Sequence, residues 1–151
     1  MNSNLFTKYH QALELKELGY DEPCIAFYEL GNKQVQAVGV EQRYNNPALL
    51  QMKDFCAPLY QQAFKFLQHI PLDGVRVGYG STIPGPVTLL PLIHYNKYEI
   101  HVVPFSKSYS NINGEEIPDY NVVYKFKGDA KSFDDAKDAC LDKLIELIKN
   151  K

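Results

Sequence analysis

The fold predicted for this chain rests on the stretch Ala57-Pro-Leu-Tyr-Gln-Gln-Ala-Phe-Lys-Phe-Leu-Gln-His-Ile70. At about 100° per residue, its apolar side chains fall within an arc of roughly 160°, and its glutamines, lysine and histidine fill the other side. Pro58 suits the first position of a helix, because its missing N–H would have no partner there, and Pro71 ends the helix. So wide an apolar face must be covered by a sheet or by other helices. The stretch therefore predicts a central packing helix.

A helix is also predicted near each end of the chain. Residues 8–18 form the first, because Gly19 follows where a left-handed C-cap residue is wanted. Residues 133–149 form the last, with Ser132 as N-cap and two aspartates in the first turn. The buried stripe of this last helix is expected to consist of Phe133, Ala136, Cys140, Leu144, Leu147 and Ile148, flanked by Leu141.

Strands are predicted between the glycine, proline and asparagine signals of the chain. They cover residues 24–30, 33–40, 75–79, 87–95, 98–105 and 120–127, and the first two are joined by a two-residue turn at Gly31-Asn32. Pro91 is expected at an edge or a bulge of its strand. The predicted fold is α+β, with residues 1–151 forming a single domain. An antiparallel sheet of about five or six strands is packed on one face by the central and C-terminal helices.

Composition excludes several classes of function. The 151 residues carry a formal net charge of -2, which gives no general attraction to nucleic acid. No apolar run is long enough for a membrane span, and the first residues do not resemble a signal peptide. The cysteines at 24, 56 and 140 are far apart and form no Cys-x-x-Cys unit, so we expect them to be reduced and buried. These features predict a cytoplasmic protein without a membrane or nucleic-acid partner.

Two histidines and a glutamate are predicted to share one face of a hairpin. If Asn96-Lys97 is a two-residue turn, His94 lies opposite Glu99, and His101 falls on the same face. Such a group could bind a metal or act as acid and base. The favoured interpretation is a solvent-facing sheet surface with a cross-strand ion pair, because no further ligand stands at a supporting spacing. We therefore assign no catalytic, metal-binding or cofactor-binding residue, and no cofactor, from the sequence.

The glycine-rich stretch from Gly78 to Thr82 resembles a phosphate-cradling loop in composition only. It lacks the lysine and the fixed spacing of a P-loop, and Pro84-Gly85-Pro86 follows it instead of a helix. A structural turn is the favoured interpretation.

Tyrosine is the most telling residue type, since the chain has 11 of them and no Trp. Tyrosine combines a large contact area with a polar tip, which favours a recognition surface. Residues 106–119 are polar and too many for a tight turn, so they predict an interaction loop. The candidate interaction residues in this loop are Tyr109, Asn111, Asn113, Glu115 and Glu116.

Two short segments carry a family resemblance. Leu15-Lys-Glu-Leu-Gly-Tyr-Asp-Glu-Pro-Cys24 and Pro58-Leu-Tyr-Gln-Gln-Ala-Phe64 resemble segments of a group of small uncharacterised proteins encoded by bacteriophages and prophages. The resemblance covers about half the chain in short blocks and does not extend to the β-rich middle. It carries no activity, ligand or catalytic residue. What it implies is a viral accessory protein in a bacterial cytoplasm.

The favoured function is a non-enzymatic module that binds a host or phage protein. One alternative is a structural or assembly subunit of a phage particle, for which self-association as a homo-oligomer would be expected. The other alternative is a small enzyme or nucleotide-binding protein, which would need a pocket at the histidines or at the glycine-rich stretch.

Overall fold

The computed structural model describes residues 3–45, 53–78, 80–105 and 122–150. The chain divides into two compact units, Met1–Phe66 and Leu67–Lys151. We refer to them as unit 1 and unit 2. None of the helices within the described ranges is long and apolar enough to cross a membrane.

Unit 1 contains a helix, α1 (Tyr9–Glu17), and a three-stranded antiparallel sheet. Its strands are β1 (Cys24–Glu29), β2 (Gln36–Gln42) and β3 (Asp54–Cys56), in the order β2-β1-β3. The third strand was not predicted, because three residues are too few for a visible alternation. Helix α1 ends as the sequence predicts. Gly19 has a φ of 94°, and the N–H groups of Gly19 and Tyr20 donate to the carbonyls of Lys16 and Leu15.

The predicted two-residue turn at Gly31-Asn32 is wrong in position. The Asn32 N–H donates to the Glu29 carbonyl, so Gly31, with a φ of 88°, is the third residue of the turn. Residues 30–35 connect the strands, and β2 begins only at Gln36. The prediction that Gly31 supplies a positive φ in this connection is confirmed.

The core of unit 1 lies between α1 and the sheet. Phe55 is fully buried, and the ring of Tyr9 contacts the rings of Tyr28 and Phe55 edge to face at 5.4 and 5.2 Å between centroids. The other buried members of the cluster are Phe6, Ala12, Ala26 and Ala57.

The expectation of three reduced cysteines is wrong. Cys24 and Cys56, on neighbouring strands, form a disulfide with 6.1 Å between their Cα atoms, a normal separation for such a bond. The pair could not be recognised from spacing, because β1 and β3 are brought together only by the fold. Cys140 is a buried free thiol, as expected.

The central helix, α2 (Tyr60–Gln68), is shorter than predicted, and Pro58 is not its first residue. Pro58 precedes the helix, and its carbonyl accepts a hydrogen bond from the Thr7 N–H. The side chain of Gln62 folds back to accept from the Leu59 N–H, which caps the helix two residues later than predicted. The boundary between the two units falls within α2.

Unit 2 contains a four-stranded antiparallel sheet in the order β4-β5-β6-β7 and a long helix, α3. The strands are β4 (Leu72–Val77), β5 (Ser81–Ile93), β6 (Lys97–Pro104) and β7 (Tyr124–Asp129). Helix α3 (Phe133–Lys149) matches the prediction at both ends, and the Ser132 hydroxyl accepts from the Asp135 N–H at 3.2 Å. It contacts all four strands of the sheet.

The prediction of an α+β fold is confirmed, and the prediction of one sheet of five or six strands is wrong. Two sheets of three and four strands are present, because β4 pairs with β5 and not with the strands of unit 1. Helix α3 contacts all four strands of the larger sheet, as predicted for the C-terminal helix, whereas the packing of α2 on the same sheet stays a prediction. One domain over residues 1–151 stays a prediction.

Candidate functional site

Two of the three residues predicted to form a polar cluster come together on β6. The Nε2 atom of His101 lies 2.9 Å from Oε2 of Glu99, two residues earlier on the same face of the strand. The imidazole is nearly inaccessible, since only 6% of His101 is exposed. The ion pair therefore runs along one strand, and its histidine is not on a solvent-facing surface as the sequence predicted.

His94 does not join this pair, because the hairpin turn lies one residue earlier than predicted. The His94 N–H donates to the Lys97 carbonyl at 2.8 Å, so Tyr95-Asn96 forms the turn. Glu99 is then opposite Leu92, and His94 is exposed beside the turn.

Pro91 supplies the physical reason for this register. Hydrogen-bonded and non-hydrogen-bonded pairs alternate along antiparallel strands. In the observed register the pair of His94 with Lys97 is hydrogen-bonded, so Pro91 and Ile100 form a non-hydrogen-bonded pair. The predicted register would have placed Pro91 in a hydrogen-bonded pair, where its missing N–H would lose a bond.

The surroundings of Glu99 favour its ionised form. His101 donates a hydrogen bond to it, and Lys125 and Lys127 lie on the neighbouring strand, with the Lys127 ammonium 4.0 Å from Oε1. The hydrogen bond from His101 is the main cause that lowers the pKa of Glu99 below its ordinary value, and the charges of the two lysines lower it further. The arrangement holds the imidazole of His101 in place on the strand.

Neither Thr88 nor Cys140 offers a nucleophile to the pair. Thr88 shares this face of the sheet, but its hydroxyl donates to the Gln68 carbonyl. Cys140 is buried on α3, and burial raises the pKa of its thiol to about 12. No group of three or more His, Cys, Asp or Glu among the described residues could hold a metal ion.

The glycine-rich stretch is the turn between β4 and β5. Ser81 and Thr82 belong to β5, and Thr82 pairs with Arg76. Gly78 borders an open cavity of about 550 Å³ beside the end of α3. Arg76 and the ion pair of Lys143 with Glu146 also line this cavity. A strand, not a helix, follows the turn, so the backbone does not present a helix N-terminus to a phosphate.

The predicted interaction loop cannot be placed. Its candidate residues Tyr109, Asn111, Asn113, Glu115 and Glu116 lie outside the described residues.

Sequence reasoning missed an exposed aromatic pair at one end of unit 2. Tyr95 is 78% exposed in the β5–β6 turn, and Phe133 is 48% exposed at the start of α3, although it was predicted to be buried. The Ala130 N–H donates to the Asn96 carbonyl at 2.7 Å and joins the two connections. We call Tyr95, Asn96, Ala130 and Phe133 the tip surface. The exposure of Phe133 could have been predicted, because this residue directly follows the N-cap Ser132 and the side chain of a first helical residue can extend past the first turn.

Comparison of the chain with protein families, with curated proteins and with solved structures finds no match.

Proposed function

We propose that this chain is a phage accessory protein that acts without enzymatic chemistry, by binding a host or phage protein through the tip surface. The observation that carries the proposal is the exposure of Tyr95 and Phe133 at the same end of unit 2. Tyr and Phe are enriched at the cores of protein–protein interfaces, and Tyr is among the residues that contribute most to binding.

The tip surface is held rigidly, which favours binding. The hydrogen bond between His94 and Lys97 closes the hairpin turn, and that between Ala130 and Asn96 fixes the connection to α3. The Ser132 cap then fixes the first turn of α3, from which Phe133 extends. A rigid surface loses little conformational entropy when a partner binds, so more of the contact energy contributes to affinity.

The charges around the tip surface indicate the chemistry of the partner. The surrounding charges balance, since three are negative, Asp129, Asp134 and Asp135, and three are positive, Lys97, Lys131 and Lys137, the last of which pairs with Asp134. A strongly acidic or basic partner gains nothing from such a rim. The surface fits an apolar groove on a partner protein, with polar groups around the groove.

A pair of matched variants tests the proposal. Tyr95→Ser with Phe133→Ser removes both exposed rings of the tip surface, and Ile25→Ser with Leu30→Ser removes two exposed apolar side chains of unit 1 as a control. Tagged wild-type protein and both variants are used to capture partners from lysate of infected bacteria, with mass spectrometry as the readout.

The expected result is a partner in roughly one-to-one amount with the wild type and the control, and its loss with the tip variant. Circular dichroism and thermal unfolding of the variants confirm that they are folded. An identical set of captured proteins for all three would contradict the proposal. Light scattering that shows large homo-oligomers of the purified wild type would instead favour an assembly subunit.

A further inference from the structure

The last strand of unit 2, β7, lies at an edge of its sheet. The sheet has the order β4-β5-β6-β7, and no strand within the described ranges pairs with the outer side of β7. Its residues pair with β6 in an unbroken register from Tyr124 to Asp129, without a bulge and without a proline. Bulges and prolines are two of the devices that keep an edge strand from pairing with another chain. The strand is therefore regular enough to accept a neighbour.

Hydrogen bonds fix which backbone groups of β7 point outward. The Ala130 N–H donates to the Asn96 carbonyl, one step beyond the last pair of the register. Because hydrogen-bonded pairs alternate along antiparallel strands, the even-numbered residues of β7 bond to β6 in the same way. The bond that closes the β5–β6 turn gives the same result, since it directs the odd-numbered residues of β6 towards β5. The residues of β7 whose N–H and C=O groups point outward are therefore Lys125, Lys127 and Asp129.

The side chains of these three outward residues share one face of the sheet. It is the face opposite α3, because the ammonium of Lys143 on α3 lies over the ring of Phe126 on the other face. All three side chains are exposed. Lysines on an edge strand usually discourage pairing. Here an aspartate follows the two lysines, so a second copy of the same strand offers each copy an opposite charge.

We propose that β7 pairs with β7 of a second copy of this chain, in an antiparallel dimer centred on Lys127. Each Lys125 then lies opposite the partner's Asp129, which gives two ion pairs between the strands. The three outward N–H groups of each copy meet carbonyl groups of the other, so six hydrogen bonds join the two four-stranded sheets into one of eight strands. Such a two-fold arrangement is closed and ends at the dimer.

The order of the charges selects this register. A centre at Phe126 would place Lys125 opposite the partner's Lys127 twice, and like charges directly opposite one another are destabilising. A centre at Gly128 would place Lys125 opposite the partner's Lys131, which lies beyond the end of β7. Only two outward residues of each strand would then be paired.

One like-charge contact remains in the proposed register, between the two copies of Lys127. The Lys127 ammonium lies 4.0 Å from Oε1 of Glu99 in its own chain, and the lysine side chain is 67% exposed. The carboxylate and the surrounding water both weaken the repulsion. Two attractive contacts therefore stand against one screened repulsive contact.

Sedimentation equilibrium of the full chain, at concentrations up to the millimolar range, tests the proposal, because a single pair of strands forms a small interface. Two charge variants each change one member of the ion pair. Lys125→Glu makes both of its positions acidic, and Asp129→Lys makes both basic. Lys53→Glu is the matched control, since it reverses the charge of an exposed lysine in unit 1.

The wild type and the control should dimerise equally. Each charge variant alone should self-associate at least about tenfold more weakly, because attraction becomes repulsion at two positions. An equal mixture of the two variants should dimerise about as tightly as the wild type, since acidic positions then face basic ones. Dimerisation of the mixture would also show that both variants are folded.

A wild type that stays monomeric over the whole concentration range would overturn the proposal. So would a charge variant that self-associates as tightly as the wild type, or a monomeric mixture of variants that are folded by circular dichroism. If a charge variant does not fold, Lys125→Gln with Asp129→Asn decides, because loss of both ion pairs should weaken the dimer by about fivefold. Neither Tyr95 nor Phe133 takes part in the dimer, so its failure would leave the proposed function standing.

Discussion

Gly128 is the position where one added methyl group should disturb the base of the tip surface. It lies directly opposite Tyr98 in the pairing of β6 with β7. A Cβ atom at this position would be 2.7 Å from the Tyr98 hydroxyl oxygen and would overlap the ring. Gly128→Ala therefore forces the tyrosine out of its site.

The expected cost follows from two opposing terms. Overpacking of this kind costs about 1–3 kcal/mol. Replacing a strand glycine by alanine returns about 0.5–1 kcal/mol, because the unfolded chain loses freedom. The net destabilisation should be about 1–2 kcal/mol, measured as the free energy of unfolding of unit 2 in urea.

Gly78→Ala is the control, since none of the described residues that could clash lies within 4 Å of a Cβ atom there. It should leave stability unchanged or slightly higher. A second readout is the titration of Tyr98. Burial is the main cause that raises the pKa of its hydroxyl, and Cys140 and the acidic residues of α3 raise it further. Displacement of the ring in Gly128→Ala should lower that pKa.

Two results would refute this reasoning. One is a Gly128→Ala variant as stable as Gly78→Ala. The other is an equal cost of Gly128→Ala in a Tyr98→Ala background, where the clash no longer exists and the two changes should not be additive.

Three further outcomes are expected. Thiol labelling of the denatured chain should find one reactive cysteine before reduction and three after it. Reduction of the Cys24–Cys56 bond, whose cysteines are 32 positions apart, should lower the free energy of unfolding of unit 1 by about 4 kcal/mol. The hydrogen bond from His101 lowers the pKa of Glu99 in the folded protein, so ionised Glu99 stabilises unit 2 at neutral pH and this stability is lost as the pH falls through that pKa. Glu99→Gln should therefore flatten the acid side of a plot of the free energy of unfolding of unit 2 against pH. Thr7→Val should stabilise unit 1 by about 1 kcal/mol in urea unfolding, because the buried Thr7 hydroxyl has no hydrogen-bond partner among the described residues; a loss of stability would indicate a partner.

Local signals in the sequence predicted local structure well. Helix α3 was predicted at both ends, because a serine cap and a regular apolar stripe act within a few residues of one another. The end of α1 was predicted for the same reason, since Gly19 is required by the backbone at that position.

Features that depend on distant residues were not predicted. The split into two sheets depends on β3, whose three residues carry no pattern of their own. The disulfide depends on β1 and β3 being neighbours, which no local pattern of the chain reveals.

The register of the β5–β6 hairpin was the one error that the sequence could have prevented. Pro91 has no N–H group, so it fits only a position whose pair forms no hydrogen bond between the two strands. Once the proline must occupy a non-hydrogen-bonded pair, the turn moves to Tyr95-Asn96 and Tyr95 becomes the exposed tip.

The most direct test of the proposed function is the affinity of the captured partner for the purified protein, measured by calorimetry with the wild type, the tip variant and the unit 1 control. Two buried aromatic contacts at the centre of an interface should each contribute about 2 kcal/mol. The account predicts that Tyr95→Ser with Phe133→Ser weakens binding by about 700-fold, the factor that corresponds to about 4 kcal/mol, whereas Ile25→Ser with Leu30→Ser leaves it unchanged. Equal affinity of the folded tip variant and the wild type would contradict it.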